Sequence, residues 1–388
     1  MTAWKISTLS ALTAVAVSLG NAAPSDDVPD AKTKNLTAEA AALAKTQLEY
    51  FGQGYAAHTD TRRRLVYISA LDEKHFRQTM LLLSAVADAH HKTLFLEPPT
   101  WNVTVILPTV QDYKPLAPAD NVLGFYRPTD RTLISIDRGR VLVHEFTHAL
   151  HHADSAAVGQ HHPIWISEGL ATLFEASKIT PQGLVPLVDQ RLVTIQKAIR
   201  KKTVVPLEKL FRLNRIDFIR NAELCYAEAR YVMLYIHRRG LLKRWYEQYK
   251  ADYKSDQTGA AAMKKLLGKR TSVIEDDWKK WVRQLRLPWG EVRAGQGRLG
   301  AEVQDHPQGV KIVGFAPGSA AERAGRLKNG DIIEKFNGRA IRNPAEFVAA
   351  VRAAGANRTV TIQLLRNGRR MTVSQPLSDK QEKLITSS

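Results

Sequence analysis

The chain has very little cysteine: Cys225 is the single one among 388 residues. One thiol excludes an intramolecular disulfide framework and any metal site built from several cysteines, so metal chemistry here has to use histidine and carboxylate side chains. Acidic residues are also scarce, with 38 Asp and Glu against 56 Lys and Arg, which gives a formal charge of +18. The apolar fraction of 44% and the charged fraction of 24% are those of an ordinary globular chain and exclude wholesale disorder.

Long hydrophobic runs are missing except at the N-terminus, where residues 6–20 are apolar with Ser and Thr interruptions. A lysine precedes this run and small residues follow it, so residues 1–23 are predicted to be a secretory signal peptide. A membrane anchor is the alternative, but the run is shorter than the roughly 20 apolar residues that a membrane span needs. We expect secretion across the inner membrane, with a periplasmic location favoured over an extracellular or signal-anchored one. The polar residues 24–35 are predicted to form a flexible leader.

Strand and helix patterns alternate in the first half of the chain and predict an α+β subdomain over residues 36–189. Three short apolar runs in it are predicted strands: residues 65–69, 103–107 and 132–136. Residues 190–288 show helical periodicity alone and predict a helical subdomain.

The last part of the chain has a different pattern, with short β-rich runs separated by turn pairs such as Asn337-Gly338 and Asn367-Gly368. One helix is predicted among these runs, over residues 344–353. This pattern indicates a separate β-rich domain over residues 291–376, followed by a tail over residues 377–388.

Histidine is concentrated in one short segment, which holds six of the 12 histidines of the chain. His144 and His148 enclose the motif HEFTH. Residues four apart on a helix project from nearly the same face, so both imidazoles can reach one metal ion while Glu145 lies beside it. Two unrelated core histidines are the alternative interpretation.

A third metal ligand is predicted at Glu168, on a second helix that begins near residue 165. Two histidines and one carboxylate leave a coordination position open, as in catalytic zinc sites. Glu175 is the rival ligand, although a structural or supporting role fits it better. A metzincin site is excluded because it requires Gly at position 151 and His at position 154, where this chain has His151 and Asp154. The other histidines of the segment are predicted to be loop or rim residues: His151, His152, His161 and His162.

HEFTH followed by WISEGLA resembles the gluzincin clan of zinc metallopeptidases, and more closely the bacterial peptidase MA-like families, over roughly residues 62–285. The resemblance implies one Zn²⁺ per chain, with Glu145 as general base. It also implies a thermolysin-like zincin catalytic domain in which strand 132–136 binds substrate backbone as an added strand. Its implied zinc ligands are His144, His148 and Glu168.

The family also implies a tyrosine that hydrogen-bonds the oxyanion of the reaction. Tyr226 matches best and Tyr231 is the second choice; both are alternatively half-buried helix aromatics. Thermolysin-like enzymes carry an Asp where this chain has Thr172, so the residue that orients a ligand histidine must differ here. A GxMEN-type motif for gripping a free amino terminus is missing, which favours internal cleavage.

The C-terminal domain resembles a bacterial PDZ module through RLGA, GVKIVGFAPGSAAERAG and NGDIIEKFNGRAI. The resemblance implies a peptide-binding loop that captures the C-terminus of a protein ligand beside an exposed strand edge. The loop residues are Arg298, Leu299, Gly300 and Ala301.

These patterns together predict an exported zinc metallopeptidase, an endopeptidase of gluzincin type, whose PDZ domain recruits or positions a protein or peptide substrate. The alternative is a catalytically silent zincin-fold scaffold that binds protein C-termini. Nucleic acid is not an expected partner because no nucleic-acid-binding motif is found. Residues 191–290 carry a net charge of +14, which favours contact with an acidic partner or an anionic envelope surface.

Overall fold

The computed structural model describes residues 31–95, 97–119, 122–189, 191–286, 296–306, 308–315 and 319–378. The predicted signal peptide, most of the predicted leader, the end of the predicted helical subdomain, the start of the predicted β-rich domain and most of the predicted tail lie outside these residues. The described residues form two compact units, one up to residue 286 and the other from residue 296. A search of the described helices finds none that is long and apolar enough to cross a membrane.

A five-stranded sheet is the centre of the first unit, with the strand order β1-β2-β3-β5-β4. The parallel strands β2, β3 and β5 lie inside, and antiparallel β1 and β4 lie at the two edges. Strands buried on both faces have no polar side, which is why β2 and β3 are continuous apolar runs. The strands are β1 (Ala56–Asp60), β2 (Leu65–Ser69), β3 (Val103–Leu107), β4 (Gly124–Arg127) and β5 (Thr132–Ser135).

Helices cover both faces of this sheet. Because side chains alternate along a strand, Leu65 and Tyr67 of β2 face one layer while Val66 and Ile68 face the other. The first pair packs in the core that contains residues of α2 (Glu73–Thr93) and α4 (Arg140–Ala157). The second pair packs in the core that includes α1 (Ala31–Phe51) and α3 (Val110–Tyr113).

The chain then passes through α5 (Ile164–Phe174) and a small hairpin of β6 (Ser177–Thr180) and β7 (Gly183–Pro186) into a helical region. Its helices pack around the buried indoles of Trp165, Trp245 and Trp278. They are α6 (Arg191–Lys201), α7 (Leu207–Leu210), α8 (Arg215–Arg220), α9 (Ala222–His237), α10 (Leu242–Asp252), α11 (Ala260–Leu267) and α12 (Thr271–Gln284).

One structural expectation is corrected by the sheet order. Strand β5 was expected to offer a free edge to substrate backbone, but it pairs with β3 on one side and with β4 on the other. The edge strand next to the histidine helix is β4, whose sequence GFYR is too polar and too short to be recognised as a strand. Any added strand on this side of the sheet would pair with β4.

The second unit is a six-stranded antiparallel sheet, with the order β13-β12-β10-β9-β8 and β11 paired to β10. Both hairpin turns at Asn337-Gly338 and Asn367-Gly368 have two residues with positive φ, which is the type I′ conformation that Asn-Gly favours. The elements are β8 (Ala301–His306), β9 (Gly309–Phe315), α13 (Ala320–Ala324), β10 (Ile332–Phe336), β11 (Arg339–Ala340), α14 (Pro344–Ala353), β12 (Thr359–Arg366) and β13 (Arg369–Pro376).

Candidate metal centre and peptide-binding loop

The N-terminus of helix α4, which carries the histidine motif, is fixed by hydrogen bonds to an aspartate. The carboxylate of Asp137 accepts hydrogen bonds from the backbone N–H groups of Gly139 (2.8 Å) and Val141 (3.0 Å), and so satisfies two amides at the helix N-terminus. One turn later, His144 and His148 lie on the same face with their ring centroids 4.8 Å apart. The helical spacing therefore brings the two imidazoles together.

Helix α5 brings Glu168 to the same place because it packs tightly between α4 and α9. A Cβ atom on Gly169 would lie 3.0 Å from Cγ of Met233 and 3.2 Å from the carbonyl oxygen of Ala229, so glycine allows the close approach of α5 to α9. Oε2 of Glu168 lies 3.3 Å from Nε2 of each histidine, and the two Nε2 atoms lie 3.1 Å apart. We call His144, His148 and Glu168 the HHE cluster.

The outer nitrogen of each histidine in the HHE cluster already has a partner. Nδ1 of His144 is 2.8 Å from Oε2 of Glu175, and Nδ1 of His148 is 3.1 Å from Oγ of Ser167. Such contacts fix the ring orientation of ligand histidines and leave Nε2 for the metal. Glu175 is thus the residue that orients a ligand histidine, the role that Thr172 cannot take. The hydroxyl of Thr172 instead donates a hydrogen bond to the carbonyl of Glu168.

The inner side of the HHE cluster suits a cation. Oε2 of Glu168 is buried, and it has only long contacts of 3.3 Å to the two imidazole nitrogens beside it. A buried carboxylate is costly unless hydrogen bonds or a positive charge satisfy it. Among the described residues, these three side chains place their ligand atoms within 4.8 Å of one another, which is close enough to hold one metal ion. Two imidazoles and one carboxylate suit a divalent transition metal.

Electrostatics couple the members of the site. Burial works to lower the pKa of His144, but hydrogen bonds with Glu168 and Glu175 outweigh it and raise this pKa to about 10. Burial also raises the pKa of Glu145, against the charges of His144 and His148. Oε2 of Glu145 accepts a hydrogen bond from the backbone N–H of Tyr126 on β4, at 2.9 Å. Glu145 is therefore tethered to the edge strand rather than to the HHE cluster.

The two candidate tyrosines on α9 have different surroundings. Tyr226 packs against Phe218 with ring centroids 5.4 Å apart; burial, together with the charges of Glu168 and Glu145, raises its pKa. Tyr231 is fully buried, and its hydroxyl hydrogen-bonds the backbone of Asp189. Tyr226 is thus the tyrosine whose pKa is affected by the charges of Glu168 and Glu145, and Tyr231 is held by Asp189.

The remaining histidines of the segment differ from the expected rim residues. His151 is buried, and its Nε2 lies 2.8 Å from Nδ1 of His162. Nδ1 of His152 contacts the hydroxyl of Tyr126 at 2.9 Å. These side chains hold α4 to its neighbours, and of the four only His161 is exposed.

The predicted peptide-binding loop lies at the outer edge of the second unit. Arg298 exchanges two backbone hydrogen bonds with Ser378, both 2.9 Å, and Leu299 is buried with its carbonyl bonded to the N–H of Ala321. Gly300 has φ +74°, which favours glycine. Ala301 then begins β8, which pairs with β9 on one side and is the last strand in the order of the sheet.

Comparison with known protein families decides the nature of this unit, because the PDZ domain family matches residues 297–377. Residues 297–377 are a PDZ domain. The resemblance inferred from the sequence is confirmed for this part of the chain.

A curated relative and several solved structures also resemble the chain. The relative is described as a probable periplasmic serine protease do/HhoA-like from Haemophilus influenzae, 36% identical over 106 residues, which cover 25% of this chain and 22% of that protein. The HtrA-type protease AlgW with decapeptide is 21% identical, over 23% of this chain and 30% of that one, with a TM-score of 0.21. The serine endoprotease from Yersinia pestis is 23% identical, over 29% and 37% of the two chains, with a TM-score of 0.21.

The curated relative contradicts the zinc-enzyme classification, because it is described as a probable periplasmic serine protease. The assignments to a thermolysin-like zincin fold, to a gluzincin zinc metallopeptidase and to a Zn²⁺ cofactor are therefore corrected; the fold is a mixed α/β unit with a PDZ domain. Those assignments rested on two short motifs, HEFTH and EGLA, whereas the family match lies at residues 297–377, outside both. The chain spans about a fifth of the curated relative's length, so that protein's activity is not carried over either.

Proposed function

We propose that this chain is an exported peptide-handling protein that binds peptide ends through its PDZ domain and holds a divalent metal ion in the HHE cluster. The observation that carries the metal site is the convergence of three ligand atoms, Nε2 of His144, Nε2 of His148 and the buried Oε2 of Glu168, while both histidine Nδ1 atoms are engaged elsewhere. The periplasmic description of the curated relative supports the expected location.

The residues around the HHE cluster suit acid–base chemistry on a bound protein or peptide. A divalent ion supplies Lewis acidity at such a site. Glu145 is the proton acceptor, since burial raises its pKa above that of a solvated carboxylate and its orientation is held by the amide of Tyr126. Tyr226 stays protonated because its pKa is raised, so its hydroxyl donates a hydrogen bond to negative charge that develops on the ligand.

The PDZ domain binds the ligand's C-terminus at the loop from Arg298 to Ala301. Its family membership supports this role, since PDZ domains add an extended peptide to a free strand edge and capture a terminal carboxylate in a backbone turn. Strand β8 provides the edge and Gly300 the turn. Fluorescence anisotropy on the full chain should show tighter binding of peptides with a free C-terminus than of the same peptides amidated; equal binding would exclude carboxylate capture.

A second candidate uses the same residues as a nucleophilic site. Oγ of Ser167 lies 3.1 Å from Nδ1 of His148, whose Nε2 lies 3.3 Å from Glu168, which gives a Ser–His–Glu series. The serine-protease description of the curated relative favours it. In this case Ser167 is the attacking group, and a fluorophosphonate probe would label it.

Three variants separate the two candidates: Glu145→Gln, Ser167→Ala and His148→Ala, with exposed His161→Ala as the matched histidine control. Metal content is measured after dialysis, and turnover on a peptide library with and without a chelator. The metal site predicts one ion per wild-type chain, its loss in His148→Ala alone, and a fall in turnover of about 100-fold or more in Glu145→Gln. Metal-free wild-type protein whose turnover depends on Ser167 would establish the nucleophilic alternative and refute the metal site.

A further inference from the structure

A buried set of charged residues lies directly behind the HHE cluster. Glu175, at the end of α5, uses one carboxylate oxygen for His144 and the other for two arginines. Its Oε1 accepts from Nη2 of Arg140 at 2.5 Å and from Nη1 of Arg191, while its Oε2 faces Nδ1 of His144 at 2.8 Å. Because each oxygen contacts different partners, the orientation of the carboxylate is fixed.

Asp189 completes the arrangement from the other side of the two arginines. Its Oδ2 lies 2.7 Å from Arg140 and 3.1 Å from Arg191, and its Oδ1 lies 3.0 Å from Nε of Arg230 on α9. The carboxylates are nearly inaccessible, with side-chain exposures of 6% for Glu175 and 4% for Asp189. Because both arginines bridge the same two carboxylates, neither carboxylate can turn without breaking an ion pair.

We propose that Arg140 and Arg191 are positioning residues of the metal site, which act by locking Glu175 in the orientation that holds the His144 ring. This inference rests on the proposed metal site, but it concerns residues that contact Glu175 rather than the ligand atoms themselves. Arg140 precedes His144 by one helical turn on α4, and Arg191 is the first residue of α6, so the orientation of one imidazole depends on two separate helices. Residues that orient ligand histidines typically change metal affinity by 10- to 100-fold when they are lost.

The residue at position 175 offers a sharp test because its two oxygens face different donors. In Glu175→Gln, the arginines require the amide oxygen, which turns the amide NH₂ group toward His144. Nδ1 of His144 must then accept rather than donate, and its proton moves to Nε2, the atom that faces the HHE cluster. Because the pKa of His144 is raised to about 10 in the metal-free chain, nitrogen-15 NMR of metal-free protein reads this tautomer at a pH above that value, where the ring is neutral. We expect an Nδ1–H signal for His144 in the wild type and its loss in Glu175→Gln.

Arg191→Met tests the arginine itself, with Arg191→Lys as the conservative variant. The matched control is Arg63→Met, because Arg63 also bridges two carboxylates, Asp60 and Asp88, away from the HHE cluster. Affinity for Co²⁺, measured by competition with a chelator, should fall by about 10- to 100-fold in Arg191→Met, recover partly in Arg191→Lys and stay unchanged in Arg63→Met.

The two proposals fail in different ways. A wild-type chain that binds no Co²⁺ refutes the proposed metal site, yet the NMR experiment on metal-free protein still tests the orientation of His144. Unchanged Co²⁺ affinity in Arg191→Met, or an unchanged His144 tautomer in Glu175→Gln, overturns the positioning role while leaving the metal site in place. Equal loss of affinity in Arg63→Met would show a general loss of stability instead, and would also overturn it.

Discussion

Metal binding by the HHE cluster should depend steeply on pH because His144 has to lose a proton before its Nε2 can act as a ligand. Hydrogen bonds with Glu168 and Glu175 outweigh the effect of burial and raise the pKa of His144 to about 10 in the metal-free chain. Between pH 7 and pH 10 the proton therefore competes with the metal. Over these roughly three pH units, the cost of deprotonation at pH 7 is about 4 kcal/mol, or about a thousandfold in apparent affinity.

The stability of the metal-free chain depends on pH in the opposite direction to its affinity for metal. The folded-state pKa of His144 is raised above the value of about 6.5 expected in the unfolded chain. The stabilisation from this proton is fully present below pH 6.5 and is lost as pH rises toward 10. The metal-free protein should therefore lose up to about 1.4 kcal/mol of unfolding free energy per pH unit in this window from this group alone.

The assay is a Co²⁺ titration against a chelator of known pH dependence at pH 7, 8 and 9, together with calorimetry in buffers of different ionisation enthalpy. We expect apparent affinity to rise about tenfold per pH unit and close to one proton to be released per ion at pH 7. Glu175→Gln removes one of the two hydrogen bonds that raise the pKa, so its profile should reach a plateau at lower pH. Affinity that is flat across this range, with no proton release, would refute the reasoning.

Three other predictions concern the second unit and the charged surface. Gly297→Ala should destabilise the PDZ domain by about 1–3 kcal/mol in chemical denaturation, because the added Cβ would lie 2.4 Å from the carbonyl oxygen of Val351; a normal midpoint would show that the backbone gives way. Arg366→Met should cost about 3–5 kcal/mol, because it strips the ion pair from Asp331, which is 1% exposed, whereas Arg370→Met, at a 77% exposed side chain, should cost under about 1 kcal/mol. Sedimentation with anionic vesicles should show binding that falls steeply between low and physiological salt if the basic helical region contacts the envelope; salt-independent binding would contradict an electrostatic contact.

The elements with a strong local pattern could be predicted from the sequence. Strands β2 and β3 match the predicted ranges 65–69 and 103–107, and α14 matches 344–353, because uniform apolar runs and an Asn-Pro helix start are local signals. Strands β1 and β4 are edge strands with the sequences AAHTD and GFYR, and they owe their conformation to pairing with a neighbour. Sequence reasoning missed them for that reason.

The candidate site also has one part that the sequence predicts locally and another part that depends on contacts between helices. The spacing of His144 and His148 is a helical repeat, which a sequence shows directly. The partners of their outer nitrogens are contacts between helices: Glu175 lies 31 residues from His144, and Ser167 lies 19 residues from His148. The choice of Tyr226 over Tyr231 also needed the structure, because adjacent turns of one helix differ only in what packs against them.

The ion pairs behind His144 have a consequence for the order of events after synthesis. Arg230 and Arg140 meet at Asp189 although they lie 90 residues apart along the chain, so these ion pairs require closure of a long loop before they can form. The contact between Asp189 and Arg230 exists only when α9 has packed against this part of the chain. In a chain that is exported unfolded, this set of ion pairs would therefore form only in the compartment in which the chain folds.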